Sequence, residues 1–200
     1  MPELPEVQTV VNSLKNKLIG RTIISVENPN GYLNVFHKIS IKDFNNYITT
    51  KIIKNIKRIG KYIVIELNDG FISIHLRMTG KLLFNEDYTK KHISAKFLFE
   101  KNNYLIFDDV RKFGRIYYSK NLSWLNEKIG IDPLSINFSQ EWLYKKLSYR
   151  KRMIKSLLFD QSFIAGLGNI YIDESLWKSK IHPLTIASKL SKNDVKKLHN

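Results

Sequence analysis

The amino-acid sequence predicts an α+β protein of two domains, an N-terminal antiparallel β-sandwich with a capping helix and then a helical domain. Eight short β-branched runs, punctuated by turn residues between Thr22 and Tyr118, predict the sandwich. Helical apolar spacing beyond residue 137 predicts the second domain. A chain of 200 residues that is 43% apolar has enough core-forming side chains for both. The expected division is residues 1–118 for the sandwich, 119–136 for a turn-rich linker and 137–200 for the helices.

The elements follow in chain order. Val7, Val10, Val11, Leu14 and Leu18 recur at helical spacing, with Pro5 suited to a first turn and Gly20 as the stop. Strands are expected at 22–26, 51–58, 62–67 and 71–76, the last two joined by the hairpin signal Asn68-Asp69-Gly70. Four more follow at 81–84, 94–99, 104–107 and 115–118, with a turn at Lys101-Asn102-Asn103. Gly130-Ile131-Asp132-Pro133-Leu134 has the texture of a linker. Helices are then expected at 139–147 behind a Ser cap, at 151–159 and at 170–179. A last one begins at Ser191, where Ser191-Lys192-Asn193-Asp194 resembles a capping box. That helix brings only Val195 and Leu198 to its apolar face, and a helix so short is marginal without packing, so the helical domain is expected to fray.

Charge points to the partner. Lys and Arg number 33 against 18 Asp and Glu, a net +15, which suits a polyanion such as nucleic acid. Part of this excess follows from a general richness in Lys, Asn and Ile. No stretch approaches the about 18 apolar residues of a membrane span, and the acidic N-terminus lacks the apolar core of a secretory signal. Zero cysteines exclude disulfides, thiolate catalysis and cysteine-based zinc sites, and the five histidines lack metal-ligand spacing.

Four places carry chemistry. Pro2 becomes a secondary amine once Met1 is removed, with Glu3 and Glu6 close behind it. An α-amino group titrates near pH ~7.7–8.0, so it can attack an aldehyde-like sugar carbon and form an iminium. The same residues are also an ordinary helix start. Lys61 sits at the mouth of a strand, where it can hold a phosphate or move a proton, or simply be solvated. The loops Arg77-Met78-Thr79-Gly80 and Asp109-Val110-Arg111-Lys112-Phe113-Gly114 mix cations with unbranched and aromatic side chains. They suit insertion into a duplex, or else Met78 and Phe113 are core residues at strand ends. Gly166-Leu167-Gly168-Asn169 precedes a helix whose N-terminal amides can take a phosphate, though it also reads as a tight interhelical turn.

Taken in order, Pro-Glu-Leu-Pro-Glu, Gly-Lys-Tyr, Met-Thr-Gly, Asp-x-Arg-x-Phe-Gly and Gly-x-Gly-Asn-Ile-Tyr strongly resemble the formamidopyrimidine-DNA glycosylase family. The resemblance runs from Met1 to about Asn200 and includes Gly-Ile-Asp-Pro-Leu and Ile-Lys-Ser-Leu-Leu. It implies a β-sandwich joined to a helix–two-turn–helix domain, and a bifunctional DNA glycosylase and abasic-site lyase. The expected partner is double-stranded DNA with oxidised purines or abasic sites, met by a monomer in the bacterial cytoplasm.

The resemblance also implies roles. Pro2 is the Schiff-base nucleophile, Glu3 the acid for ring opening and base release, and Glu6 a support for the pocket. Lys61 serves β-elimination and phosphate contact. Met78, Arg111 and Phe113 fill the void of the flipped nucleotide, with Arg111 facing the orphaned cytosine. His92, Arg150, Lys155 and Asn169 contact the DNA backbone. Gln8 and Lys112 depart from the commoner glutamate and arginine of the family. The family continues with further helices, a loop over the flipped base and a four-cysteine zinc finger, so this chain is expected to be truncated and to hold no metal. Oxidised purines such as 8-oxoguanine are the expected substrates, with a lyase-only or non-catalytic DNA-binding relic as the alternative.

Overall fold

The computed structural model describes residues 1–86 and 90–200 of the chain. It divides into two compact units, Met1–Leu122 and Ser123–Asn200. The first opens with helix α1 (Leu4–Leu18), whose buried stripe of Leu4, Val7, Val11, Leu14 and Leu18 follows the helical apolar period. Among the described residues eight strands follow: β1 (Ile23–Glu27), β2 (Ile53–Ile59), β3 (Tyr62–Leu67), β4 (Phe71–His75), β5 (Lys81–Phe84), β6 (Ile93–Phe99), β7 (Tyr104–Asp108) and β8 (Arg115–Ser119). They form two four-stranded antiparallel sheets, ordered β1-β6-β7-β5 and β2-β3-β4-β8. Ile56, Ile63, Ile65, Ile72 and Ile74 of one sheet share a core with Phe97, Leu105 and Phe107 of the other. Helix α1 lies along β2 and reaches β3. The expected sandwich is therefore present, and β3 and β4 are buried on both faces, which explains their lack of polar alternation.

The hairpin turns obey backbone sterics. Gly70 turns β3 into β4 at φ +92°, and a Cβ there would lie 2.7 Å from the Tyr118 hydroxyl. Lys101 and Asn102 both take positive φ between β6 and β7, the geometry of a type I′ turn. In the first unit the strand-dominated sequence pattern hides one helix, α2 (Ile41–Ile48). Its signals were present, because Ser40 caps the Asp43 amide and Phe44 and Ile48 are buried at helical spacing. Asn45 on this helix pairs with both backbone groups of Val26, at 2.7 and 2.8 Å, satisfying polar groups of β1 that the sheet leaves over.

The second unit contains α3 (Ser123–Lys128), and then α4 (Gln140–Leu147), α5 (Ile154–Phe159), α6 (Asn169–Ser179) and α7 (Lys192–His199), these four around a separate core. Helix α5 starts later than the apolar spacing suggests. Residues 150–153 are instead held extended against 186–188, through the Met153–Ile186 bridge and the backbone bonds of Ala187 to Arg152 and Ser188 to Arg150. The Gly130–Leu134 segment packs within this unit. Ile131 bridges Ile164, and Gly130 donates its N–H to Gln161 at 2.8 Å.

The last helix has packing partners within the unit. Ser191 and Asp194 form the anticipated capping box, Val195 is fully buried, and Leu198 packs on the core. The His199 ring stacks on Phe138 at 5.1 Å and its Nε2 bonds the Phe138 carbonyl at 2.9 Å. Tertiary packing thus supplies what eight residues of helix cannot supply alone. Replacing Val195 with Ala should lower unfolding stability by about 2 kcal/mol, from lost burial plus a residual cavity. Chemical denaturation, with amide exchange of the α7 backbone followed in parallel, is the check.

Candidate active site

In the first unit the start of α1 carries the chain terminus to the sheet. Leu4 in the first turn is buried, and so is the adjacent Glu3, at 3% exposure. Glu3 and Glu6 form a capping box, with the Glu3 N–H donating to Glu6 Oε2 at 2.9 Å. Glu6 therefore acts as a support of the terminus, with its own side chain exposed to solvent. Pro2 is half-buried and Met1 precedes it at the surface.

Lys61 faces this terminus from the turn between β2 and β3, where Gly60 adopts positive φ. It is 4% exposed, so the solvated-lysine alternative fails. Burial pulls its pKa below the ordinary lysine value, and the nearby charge of Glu3 pulls partly back. Arg58 fastens this turn to α1, donating from Nε to Gln8 Oε1 at 3.0 Å and from Nη1 to the Gly60 carbonyl at 3.1 Å. A neutral glutamine at position 8 therefore performs a definite positioning task.

Met78 and Phe113 are 42% and 54% exposed, which removes the core alternative for both. They line one cavity of about 340 Å³ together with Met1, Arg77 and Arg115. The structure thus brings the chain terminus, Met78 and Phe113 to one place. Arg111 is exposed beside them, its backbone N–H donating to Thr79 Oγ1 at 3.0 Å. Lys112 points inward and donates to the His92 carbonyl at 3.0 Å, so its ammonium serves the loop's structure. The His92 side chain is partly exposed at the start of β6.

Arg150, Lys155 and Asn169 belong to the second unit. Asn169 begins α6 after Gly168, and Gly166 takes φ +98°, so the backbone turns into an exposed helix N-terminus. Lys155 pairs with Asp173 of that helix at 2.7 Å. Both partners are partly exposed, and such a pair holds its cation only weakly. Arg150 is exposed, with its guanidinium 6.0 Å from the Phe163 ring centre.

Several neighbours of the site were not singled out from sequence. Tyr62 packs edge-on against His75 at 4.7 Å and against Tyr117 at 5.9 Å, and the His75 Nδ1 accepts the Arg77 N–H at 3.1 Å. Cross-strand registry alone assembles this group, Tyr62 opposite His75 and His75 opposite Arg115. The strand runs therefore contained the signal, but only once the pairing was known. Among the described residues no group of three or more His, Cys, Asp or Glu is placed to hold a metal ion, and the chain has no cysteine. The residues present do not fit a four-cysteine zinc site.

Comparison with known proteins adds the lineage. The family model described as formamidopyrimidine-DNA glycosylase N-terminal domain matches residues 1–116, and that of the formamidopyrimidine-DNA glycosylase H2TH domain matches residues 129–200. The formamidopyrimidine-DNA glycosylase of Protochlamydia amoebophila is 40% identical over 209 residues, covering 100% of this chain and 73% of its own length. That of Oceanobacillus iheyensis is 39% identical over 206 residues, covering 99% and 72%. Among solved structures, Lactococcus lactis formamidopyrimidine-DNA glycosylase bound non-covalently to DNA containing an abasic site is similar with a TM-score of 0.89 at 35% identity. It covers 98% of this chain and 77% of its own. MutM in complex with DNA containing carbocyclic 8-oxo-G has a TM-score of 0.89 at 36% identity, covering 99% and 75%.

The buried tyrosine yields a pH test. Burial first, then Tyr117, push the Tyr62 pKa up from 10.0 to about 12, with Arg77 opposing. The folded state therefore keeps a proton that the unfolded chain loses, so stability present below pH 10 is lost as pH rises toward 12. Over that interval Tyr62→Phe should lose less unfolding free energy than the parent, by about 2 kcal/mol. Urea denaturation of both proteins across the interval measures the difference.

Proposed function

The chain belongs to the formamidopyrimidine-DNA glycosylase family, and from that premise we propose that it excises oxidised purines from duplex DNA and cleaves the strand at the resulting abasic site. The observation that carries the reading is Glu3 and Lys61, both buried and electrostatically coupled, beside the terminus that Pro2 will occupy. A base-excision enzyme must also extrude the base and offset the lost stacking, and Met78 and Phe113 stand exposed at the cavity that Met1 lines.

The roles assigned are as follows. Removal of Met1 frees the Pro2 secondary amine. Its lone pair attacks the sugar C1′ and displaces the base, which leaves as the neutral purine carrying the amine's proton. The Glu3 carboxyl then protonates the ring oxygen, and the C1′–O bond opens as the nitrogen lone pair closes the iminium. The iminium so formed draws electrons from C2′, whose proton passes to a base. The 3′ phosphate then leaves by β-elimination, and water releases Pro2. Lys61, its ammonium weakened by burial, serves this proton transfer and holds a phosphate. Arg111 faces the base left unpaired. His92, Arg150, Lys155 and Asn169 grip the backbone, the Lys155–Asp173 pair opening to accept a phosphate. We read the chain as holding no metal of its own. No described helix is long and apolar enough to cross a membrane, and we place the protein with the chromosome in the cytoplasm.

Borohydride trapping tests the chemistry directly. The purified protein should form a covalent adduct with duplex DNA carrying 8-oxoguanine and with the same duplex carrying an abasic site. Intact mass should show Met1 removed, since a retained Met1 leaves Pro2 as an amide that cannot form the iminium. Trapping on the abasic duplex alone would favour the lyase-only reading, and trapping on neither would end both.

Substitutions divide the labour. Glu3→Gln should suppress base excision by ~10²–10⁴-fold, the usual worth of general acid assistance, while lyase action on a preformed abasic site falls far less. Single-turnover rates on the two substrates decide it, and equal losses would refute the assignment. Phe113→Ala should weaken binding to lesion duplex about tenfold, the scale of one base–aromatic stack, with little effect on single-stranded DNA. Arg111→Ala should follow the same preference, read by titration of both DNA forms.

A further inference from the structure

The loop Met78–Gly80 after β4 and the loop Asp109–Gly114 after β7 meet at one buried carboxylate. Asp109 is 1% exposed. Its Oδ1 accepts the Thr79 hydroxyl at 2.5 Å, and its Oδ2 accepts the Gly114 N–H at 2.7 Å. A threonine hydroxyl has one hydrogen, and Thr79 commits it to Asp109. Its oxygen is thereby turned to accept, and it receives the Arg111 N–H at 3.0 Å. One acid and one hydroxyl thus connect the residue after Met78 to the backbone of Arg111 and to the residue after Phe113.

The apolar floor enforces the same closeness. A Cβ on Gly80 would meet the Phe107 ring at 2.7 Å, and one on Gly114 would meet that ring at 2.3 Å. Both loops close over a single aromatic side chain. The stem of the second loop has separate anchors. Tyr32 and Arg115 both donate to the Lys112 carbonyl, at 2.5 and 3.0 Å, and Lys112 Nζ donates to the His92 carbonyl. These hold Lys112–Gly114 without engaging the Met78 loop, whereas the Thr79 hydroxyl spans the two loops.

We propose that Asp109 and Thr79 are positioning residues, a latch that presents Met78, Arg111 and Phe113 to DNA as one preorganised unit. The proposal rests on the void-filling role given to those three side chains. A void opened by base flipping is filled by all three or filled poorly. Loops that moved independently would have to be ordered on binding, at an entropic cost to affinity. A carboxylate with both oxygens engaged inside the protein keeps its place when a polyanion approaches.

The test uses the full chain with Thr79→Val, which removes the hydroxyl while keeping shape and the Asp109–Gly114 bond, and with Thr79→Ser as the rescue. In the free protein, amide exchange at residues 77–80 and 110–114 should accelerate together in Thr79→Val and return to the parent pattern in Thr79→Ser. Affinity for an abasic-site duplex should fall about tenfold, the scale of losing a hydrogen bond to a charged group. Affinity for single-stranded DNA should stay within about twofold. A double-mutant cycle supplies a readout that a merely structural role leaves unmoved. Met78→Ala and Arg111→Ala should be non-additive in the parent and additive in the Thr79→Val background.

Unchanged exchange in both loops would overturn the latch, and so would equal losses on duplex and single-stranded DNA. The exchange measurement needs no DNA, so its failure is distinct from failure of the proposed function, which shows instead as absent trapping. Asp109→Asn serves as a second variant. It should reproduce the coupled loosening more strongly, and loosening of only one loop would count against the proposal.

Discussion

Withdrawing a carboxylate and an ammonium from water is the constraint on which the first unit is organised. Glu3 and Lys61 are each almost fully buried, and burial disfavours both charges. Their proximity offsets part of that cost, as the opposing pull of Glu3 on the lysine indicates. The arrangement requires α1 to reach the β2–β3 turn at a defined height. Buried Leu4, the Glu3–Glu6 capping box and the Arg58 bridge from Gln8 to Gly60 all serve that placement. Side chains that look like helix-start conventions are therefore also the mounting of the buried Glu3–Lys61 pair.

The opposite constraint governs the loops. Met78 and Phe113 are exposed, and an exposed apolar side chain is not fixed by packing. Here the ordering comes from polar atoms underneath, with Asp109 satisfied from two directions and Lys112 turned inward to backbone carbonyls. Two glycines lie against Phe107 because no larger residue fits. Rigid stems with free tips suit insertion into a stacked duplex better than a flexible basic loop.

The second unit follows simpler physics. Its helices are short, none exceeding 11 residues, and α4 to α7 persist because they bury apolar residues in a shared core. Extended backbone between them is paired, as Met153 with Ile186 and Ile131 with Ile164. The exposed start of α6 and the loosely paired Lys155 then stand on a fixed frame.

Strand positions, the Asn68–Gly70 hairpin, the stripe of α1 and the Ser191 cap were legible from sequence, because each depends on local periodicity or turn chemistry. The ordered motifs likewise marked Pro2, Lys61, Met78, Arg111 and Phe113. Helix α2 was legible in principle, through Ser40 and the 41–44–48 spacing, but the surrounding β-branched texture masked it. The start of α5 and the stability of α7 were decided by partners distant in sequence, Ile186 for one and Phe138 for the other. Only tertiary structure could decide that Lys61 is buried and Met78 exposed, because strand-end lysines and methionines occur in both environments. The same holds for Asp109 and Thr79, which stand 30 residues apart and acquire meaning only when β4 and β7 bring their loops together. Local rules specify which elements form, whereas desolvation and hydrogen-bond closure depend on what folding sets beside them.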